Sequence, residues 1–396
     1  MTFARVSSQQ PPASIQSCPD QTDSHPRRSR SMPDTITGVL KKDRKSGFVL
    51  RDPKNSFRPG KHVITVPGRL AGRLKLIEGT EVTGTLQKSR NGYAMDRILK
   101  VCGLKPESFA GRTPMRDLTV ISPDERLRLA ECGDMTMRIV DLIAPIGKGT
   151  RGLIVSPPKA GKTTILEKLC NAIKHDDPDA RVLALLVDER PEEVTHFRRS
   201  VAADVFASTN DQSYKDHVEL VRMVMAHIQV ELECGRDVVV VVDSLTRIGR
   251  AFNLAGSGTG RVMTGGMEVG ALETPRRFFG MARNIEHGGS VTILATALVD
   301  TGSRMDELIF QEFKGTGNSE LVLDRQLADL RLFPAINITE SGTRREDRLY
   351  DEADVSRINR MRGMLAERSP RDALGSLLKT LEKFPDNESL LASLPA

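Results

Sequence analysis

The sequence predicts an α/β protein: a doubly wound, mostly parallel sheet, preceded by a small all-β barrel and followed by a short helical tail. Three observations carry this. Ser156-Pro157-Pro158-Lys159-Ala160-Gly161-Lys162-Thr163 lies between the apolar run Gly152 to Val155 and a segment with helical apolar spacing, Thr164 to Ile173, so it reads as strand, phosphate loop, helix. Some eighty residues on, Val238-Val239-Val240-Val241-Val242-Asp243 has the composition of a fully buried parallel strand that ends in a carboxylate. Five short β-like runs, Thr37 to Leu40, Gly47 to Arg51, His62 to Val66, Glu81 to Leu86 and Tyr93 to Ile98, are punctuated by Gly, Pro and Asn-Gly.

Along the chain, residues 1–33 are rich in Ser, Gln, Pro and Arg, lack apolar periodicity and read as a disordered polar tail. Residues 34–105 hold the five β-like runs and read as an OB-type barrel, a platform for single-stranded nucleic acid. Residues 106–149 form a connector that ends in the apolar stretch Ile139 to Ile146, and residues 150–396 hold the nucleotide fold. There, apolar runs at Val182 to Val187, Val205 to Ala207, Val238 to Val242 and Ser290 to Ala297 alternate with helical stretches. Val355 to Leu365 and Ala373 to Leu391 read as a helical tail packed on that core.

Composition narrows the functional classes. At 396 residues, 39% hydrophobic and 28% charged, the chain has the make-up of a soluble enzyme of two or three domains. No apolar run approaches the ~18 residues of a membrane span. Its five cysteines, Cys18, Cys102, Cys132, Cys170 and Cys234, are far apart and odd in number, which suggests neither a disulfide framework nor zinc and fits a reducing cytoplasm. From Ile36 to Lys105, sixteen basic residues face five acidic ones, a balance of +11, while the whole chain carries only +6. Basicity is therefore a property of the barrel, and it points to a nucleic-acid partner.

The chemistry follows from residue types at these spacings. Loop N–H groups and the positive end of the following helix suit a polyphosphate; Lys162 can reach its outer phosphates, and the Thr163 hydroxyl and Asp243 carboxylate can ligate Mg²⁺. Hydrolysis also needs a group that accepts a proton from water. Asp188-Glu189-Arg190-Pro191-Glu192-Glu193 ends the strand Val182 to Val187, so Glu189 is the expected general base; a role as first-turn helix residues suits Glu192 and Glu193 better. Two glycine-rich loops, Ala255 to Gly266 with Arg261 and Asp300 to Arg304, leave the sheet near this centre, where hydrolysis can be coupled to movement of a strand. Base stacking in the barrel has few aromatic rings to draw on, Phe48, Phe57 and Tyr93, with Phe48 either a stacking residue or core.

The run Gly152 to Thr163, Asp188 to Thr195, Asp243-Ser244-Leu245-Thr246-Arg247, Met263 to Gly266, Arg277 to Gly280, Asp300 to Ser303, Glu312 to Asn318 and Ser341-Gly342-Thr343-Arg344, in that order, resembles the bacterial transcription termination factor Rho family. The resemblance is close from about Leu118 onward and loose over Ile36 to Lys105. It implies a RecA-like, RNA-stimulated ATPase that works as a homohexamer, threads single-stranded RNA through its ring and dislodges the RNA polymerase elongation complex. Carried over residue by residue, it implies that Lys159, Ala160, Gly161, Lys162, Thr163 and Thr164 hold ATP and Mg²⁺, that Glu189 is the base, and that Arg190 and Asp243 complete the pocket. It further implies that Phe333 stacks on adenine and that Arg344 is an arginine finger given to the neighbouring subunit. Arg261, Val262, Thr264 and Arg304 match the RNA site of the channel, and Phe48 and Arg51 fall in the primary RNA site.

The chain departs from the family pattern in three places. The helical bundle that usually precedes the barrel is replaced by the polar tail. The barrel's aromatic run is reduced to Ser46-Gly47-Phe48-Val49, with no aromatic in Val63 to Pro67, so weak pyrimidine selectivity is expected, each stacked base contributing about 1–3 kcal/mol. Leu330 stands where a basic residue commonly precedes Arg331. Two other classes remain open on sequence: a nucleotide-holding RNA-binding ring without useful turnover, and a relative of rotary ATP synthase subunits or RecA recombinases.

Overall fold

The structure, a computed structural model, describes residues 35–89, 92–256 and 264–395. The polar tail 1–33 lies outside the described residues, as do Arg261 and Val262. Strands β1 (Thr35–Asp43), β2 (Gly47–Arg51), β3 (Ile64–Val66), β4 (Glu81–Ser89) and β5 (Gly92–Val101) close into a barrel in the order β1-β2-β3-β5-β4, with the short helix α1 (Gly68–Arg73) between β3 and β4. All five expected strands are present. The turn from β1 to β2 is set by Asp43, whose Oδ2 accepts from the Lys45 and Ser46 N–H groups and the Ser46 hydroxyl, and by Gly47 at φ 80°. Helix α1 was not expected, because its two glycines hide a helical turn from any propensity reading.

Next come α2 (Pro106–Ala110), β6 (Val120–Ile121), α3 (Met135–Ile143), β7 (Arg151–Ser156), α4 (Lys162–Asp176), β8 (Arg181–Glu189), α5 (Pro191–Ser200), β9 (Asp204–Thr209), α6 (Tyr214–Glu233), β10 (Val238–Asp243) and α7 (Leu245–Ala255). Beyond residue 263 lie α8 (Glu273–Phe279), β11 (Arg283–Ile285), β12 (Ser290–Leu298), α9 (Arg304–Lys314), β13 (Ser319–Val322), α10 (Arg325–Asp329), β14 (Gly342–Thr343), α11 (Glu352–Ala366), α12 (Pro370–Leu381) and α13 (Asn387–Ser393). The sheet runs β14-β13-β7-β12-β10-β8-β9, parallel throughout except for the edge strand β14, with β11 paired antiparallel to β12 and β6 to β11.

This is the doubly wound order that places loops of adjacent strands at one edge of the sheet. Its five consecutive valines in β10 are all buried between β8 and β12, each contributing about 1.5–3 kcal/mol. One face is covered by α3, α4, α5 and the C-terminal helices α11 to α13, the other by α6, α7, α8 and α9. Among the described residues, no helix is long and apolar enough to cross a membrane.

The barrel lies against the nucleotide fold through the segment between β2 and β3. Phe57 is 2% exposed and stacks on Phe206 of β9, with ring centroids 4.7 Å apart. The neighbouring Ser56 hydroxyl accepts from the Ala207 N–H at 2.9 Å and from Arg198 at 3.1 Å. Phe57 is thus a core residue and not, as its place in the barrel suggests, a ring available to bases. Phe48 is half-buried on β2, beside Val66 of β3, and Tyr93 is half-buried with its ring edge-on to His62.

Candidate active site

The site forms at the C-terminal edge of the sheet, where β7, β8, β10 and β12 end side by side. Strand β7 closes with Ser156, buried, in the place where a glycine is usual; its hydroxyl donates to the Pro157 carbonyl at 3.0 Å. The loop then turns through Lys159 at φ 63° and Gly161 at φ 89° into the first turn of α4, which begins at Lys162. Gly161 occupies a left-handed conformation that side chains rarely adopt, and a Cβ there would lie 3.5 Å from the Phe333 ring. Thr163 and Thr164 follow in the first turn of α4, Thr164 exposed, while Ala160 is buried beneath the loop. Arg325, at the start of α10, donates to the Pro158 carbonyl at 2.6 Å and ties the loop to the segment that carries Phe333.

Lys162 Nζ donates to Asp243 Oδ1 at 2.6 Å, and the Thr296 hydroxyl of β12 donates to the same oxygen at 3.0 Å. Asp243 is buried at the end of β10. Glu189, at the end of β8, is 4% exposed. Burial pushes its carboxyl above the usual carboxylate range; Arg247, whose guanidinium lies 3.3 Å away, opposes that rise, and Asp243 adds to it. The Arg190 N–H also donates to Glu189 Oε1 at 3.1 Å. The strand therefore delivers a desolvated carboxylate close to Lys162, a setting that suits a proton acceptor. The Arg190 side chain is exposed, its guanidinium 3.6 Å from Glu193, and Glu192 and Glu193 lie in the first turn of α5.

Hydroxyl and carboxylate oxygens at Thr163 and Asp243 are the hard donors that Mg²⁺ takes, and a shared site of this kind is completed by phosphate oxygens. Among the described residues, no group of three or more Cys, His, Asp or Glu side chains is placed to hold a metal without such help.

Phe333 is 48% exposed beside the phosphate loop, where a purine can lie against it. Leu330, at the end of α10, is 52% exposed. Arg344 is at the other end of the sheet. Its N–H donates to the Asn318 carbonyl at 2.8 Å, just before β13 starts, whereas the phosphate loop follows the last residue of the adjacent β7. With Ser319 opposite Gly152, four residues of strand, about 13 Å at 3.3 Å each, separate its level from Ser156. Arg344 and Arg362 line one cavity there, with Glu320, Glu340 and Glu346.

Arg304, exposed, opens α9, whose N-cap is Ser303. Thr264 begins the turn Thr264–Gly266, and a Cβ at Gly265 would lie 3.4 Å from the Arg304 backbone. The two glycine-rich loops thus converge. Arg250 of α7 holds their base through Asp306, with contacts of 2.8 Å and 2.5 Å. Phe48 and Arg51 share β2 of the barrel. Nothing in the sequence assigns a role to Arg247, Thr296 or Arg325. Arg247 alone left a trace, one helical turn after Asp243; Thr296 is brought in by the distant strand β12 and Arg325 by the helix α10.

Residues 136–343 match the ATP synthase alpha/beta family, nucleotide-binding domain. Transcription termination factor Rho of Cereibacter sphaeroides is 45% identical over 356 residues, 88% of this chain and 84% of that protein. Transcription termination factor Rho of Pseudomonas aeruginosa is 42% identical over 391 residues, 93% of each. Among solved structures, an ATPase from the type III secretion system of pathogenic bacteria superposes with a TM-score of 0.55 at 21% identity, covering 64% of this chain and 72% of that one. At that identity the likeness is one of fold, a RecA-like P-loop core.

Proposed function

Because this chain belongs to the transcription termination factor Rho family, we propose that it terminates transcription in the cytoplasm as an ATP-driven RNA translocase, a homohexameric ring that hydrolyses ATP with Mg²⁺ while single-stranded RNA passes through its channel and that acts on the RNA polymerase elongation complex. The barrel, residues 34–105, binds RNA first; residues 106–149 lead from it to the motor, residues 150–396. The observation that carries the reading is the grouping of Lys162, Asp243, Glu189 and Arg247 at one sheet edge, with Arg344 at the opposite end.

Lys159, Ala160, Gly161, Lys162, Thr163 and Thr164 cradle the phosphates, Phe333 lies on the adenine, and Arg190 closes the pocket. Thr163 and Asp243 would hold Mg²⁺, which when bound would neutralise charge on the transferred phosphoryl group. Glu189 takes a proton from the attacking water, and Arg247 keeps that carboxylate ionised and aimed. Lys162 moves from Asp243 to the phosphates as nucleotide enters. Arg344, remote from the phosphate loop of its own chain, completes the site of the next subunit, so the ring is needed for turnover. Arg261, Val262, Thr264 and Arg304 bind RNA in the channel, and Phe48 and Arg51 hold it on the barrel, with weak base preference because Phe57 is buried.

The test is Mg²⁺-dependent ATP hydrolysis by the purified chain with poly(C), poly(U), poly(A), single-stranded DNA or no polymer. Stimulation by RNA is expected, with little preference for pyrimidines. Stimulation by DNA alone, or by no polymer, overturns the reading.

A further inference from the structure

At the end of the sheet remote from the phosphate loop, three strands each bring an arginine to the same place. Arg151 is the first residue of β7, Arg283 the first of β11, and Arg344 directly follows β14. Asn318, just ahead of β13, ties two of them together. Its N–H donates to the Arg151 carbonyl at 3.0 Å, its side-chain oxygen accepts from the Arg151 N–H at 2.8 Å, and its own carbonyl accepts from the Arg344 N–H at 2.8 Å. With Arg345, these arginines line one cavity of about 450 Å³ that no Asp or Glu lines. Arg151 donates through Nε to the Thr316 carbonyl at 3.1 Å and through Nη1 to the Ala282 carbonyl at 3.3 Å, while Arg283 donates to the Met281 and Gly280 carbonyls, both at 3.1 Å. These bonds fix two half-buried guanidinium groups, but every acceptor is neutral. Among the described residues, only Arg345 of the four has an ion-pair partner, Asp347 at 3.0 Å. Burial holds the Arg283 guanidinium below its ordinary value, and Arg151 adds to that. Like charges withdrawn from water without a counter-ion are costly, and an entering anion offsets that cost.

We propose that Arg151 and Arg283 form, around Arg344, a cationic cup that binds the triphosphate held by the phosphate loop of a second copy of this chain. The assignment rests on the reading above that Arg344 completes the site of the next subunit. The cavity has the size of a small-ligand site, about 300–1,000 Å³, and forked guanidinium donors match phosphate oxygens. The nucleotide of the same chain is out of reach, because five residues of β7, about 16 Å at 3.3 Å each, separate Arg151 from Ser156. Strand β7 therefore serves two nucleotides, its own at the C-terminal end and the neighbour's at the N-terminal end. The three arginines divide the work. Arg151 and Arg283, held by main-chain carbonyls, are fixed before nucleotide arrives and act on binding; Arg344, exposed and without an ion-pair partner among the described residues, acts on the transferred group.

The experiment measures RNA-stimulated ATP hydrolysis by the full chain carrying Arg283→Gln or Arg151→Gln, with Arg283→Lys and Arg151→Lys as variants that keep the charge. Each Gln variant should raise KM for ATP about 10- to 100-fold with kcat little changed, and each Lys variant should recover part of the loss. Mixed rings separate this from a structural effect. At ATP below the wild-type KM, Arg283→Gln and Lys162→Ala should each be nearly inactive alone, and rings containing both should recover hydrolysis, because some interfaces then join an intact phosphate loop to an intact cup. Damage that Arg283→Gln does to its own phosphate loop gives no such recovery. Arg151→Gln mixed with Lys162→Ala repeats the test at a second position. An unchanged KM in both Gln variants, a loss confined to kcat, or no recovery in either mixture overturns the proposal. So does inorganic tripolyphosphate bound by Lys162→Ala rings as tightly as the wild type binds ATP, which makes the cup a site for a free anion. The reading beneath it is checked separately, by RNA stimulation of the wild type and by the loss of kcat in Arg344→Ala.

Discussion

Lys162 Nζ and Asp243 Oδ1 are 2.6 Å apart, so the lysine proposed to meet a nucleotide's outer phosphates and the carboxylate proposed to meet its metal neutralise each other. On the proposed mechanism nucleotide would break this pair, and Asp243, once it served as a metal ligand, would free the lysine. In Asp243→Asn, ATP binding without metal is therefore expected to hold or tighten while Mg²⁺-dependent hydrolysis falls to background. In Lys162→Ala both are lost. Titration with a fluorescent ATP analogue in EDTA and in Mg²⁺ separates the two; metal-free binding lost in Asp243→Asn contradicts the exchange.

Glu189→Gln should lower kcat by about 10²–10⁴ with nucleotide affinity little changed. Because burial raises the Glu189 pKa, the acidic limb of the kcat profile should lie above the ~4.3 of a free glutamate, and Arg247→Ala should move it higher still. A limb that Arg247→Ala leaves in place removes Glu189 as the titrating base.

Arg344→Ala should cost about 10³–10⁵ in RNA-stimulated kcat, and Glu189→Gln should be impaired for a different reason. Mixed rings assembled from the two variants contain some interfaces with both groups intact. They should recover a fraction of activity that neither variant has alone, read by ATP hydrolysis after co-refolding; no recovery at any ratio contradicts a finger given in trans.

Phe57 and Phe48 should behave oppositely. Phe57→Ala removes a ring stacked on Phe206 and should cost about 3–5 kcal/mol in urea unfolding. Phe48→Ala should leave stability nearly unchanged and weaken oligonucleotide binding by about 1–3 kcal/mol, measured by fluorescence anisotropy.

Asp141 on α3 is buried; that burial pushes its carboxyl to about 6, against the pull of Arg126 at 3.5 Å. Since the folded value lies above the unfolded one of about 3.9, the folded chain holds the proton longer. The group's contribution to stability is complete below about 3.9 and is lost as pH rises through about 6. The melting temperature of Asp141→Asn relative to wild type should rise across that window and level off above it. A difference that is flat with pH contradicts the shift.

Much of this architecture was legible without coordinates. The five valines before Asp243 mark a strand buried on both faces, since nothing else accommodates such a run, and the phosphate loop declares itself by its lysine and glycine between a strand and a helix. Five β-like runs with turn residues between them marked the barrel, and the end of Val182 to Val187 marked Glu189. These features are local: each depends on residues within about ten positions of one another, so backbone preference and side-chain alternation record them.

What the tertiary structure alone decided is which distant residues meet. Phe57 carries the same local signal as Phe48, yet only the packing of β9 and α6 takes its ring out of solvent. Arg247 beside Glu189, Thr296 on Asp243 and Arg325 on the phosphate loop all depend on strand order and helix placement. The strand order is set by the burial of whole faces, a sum over many weak apolar contacts, and no single residue's chemistry announces it.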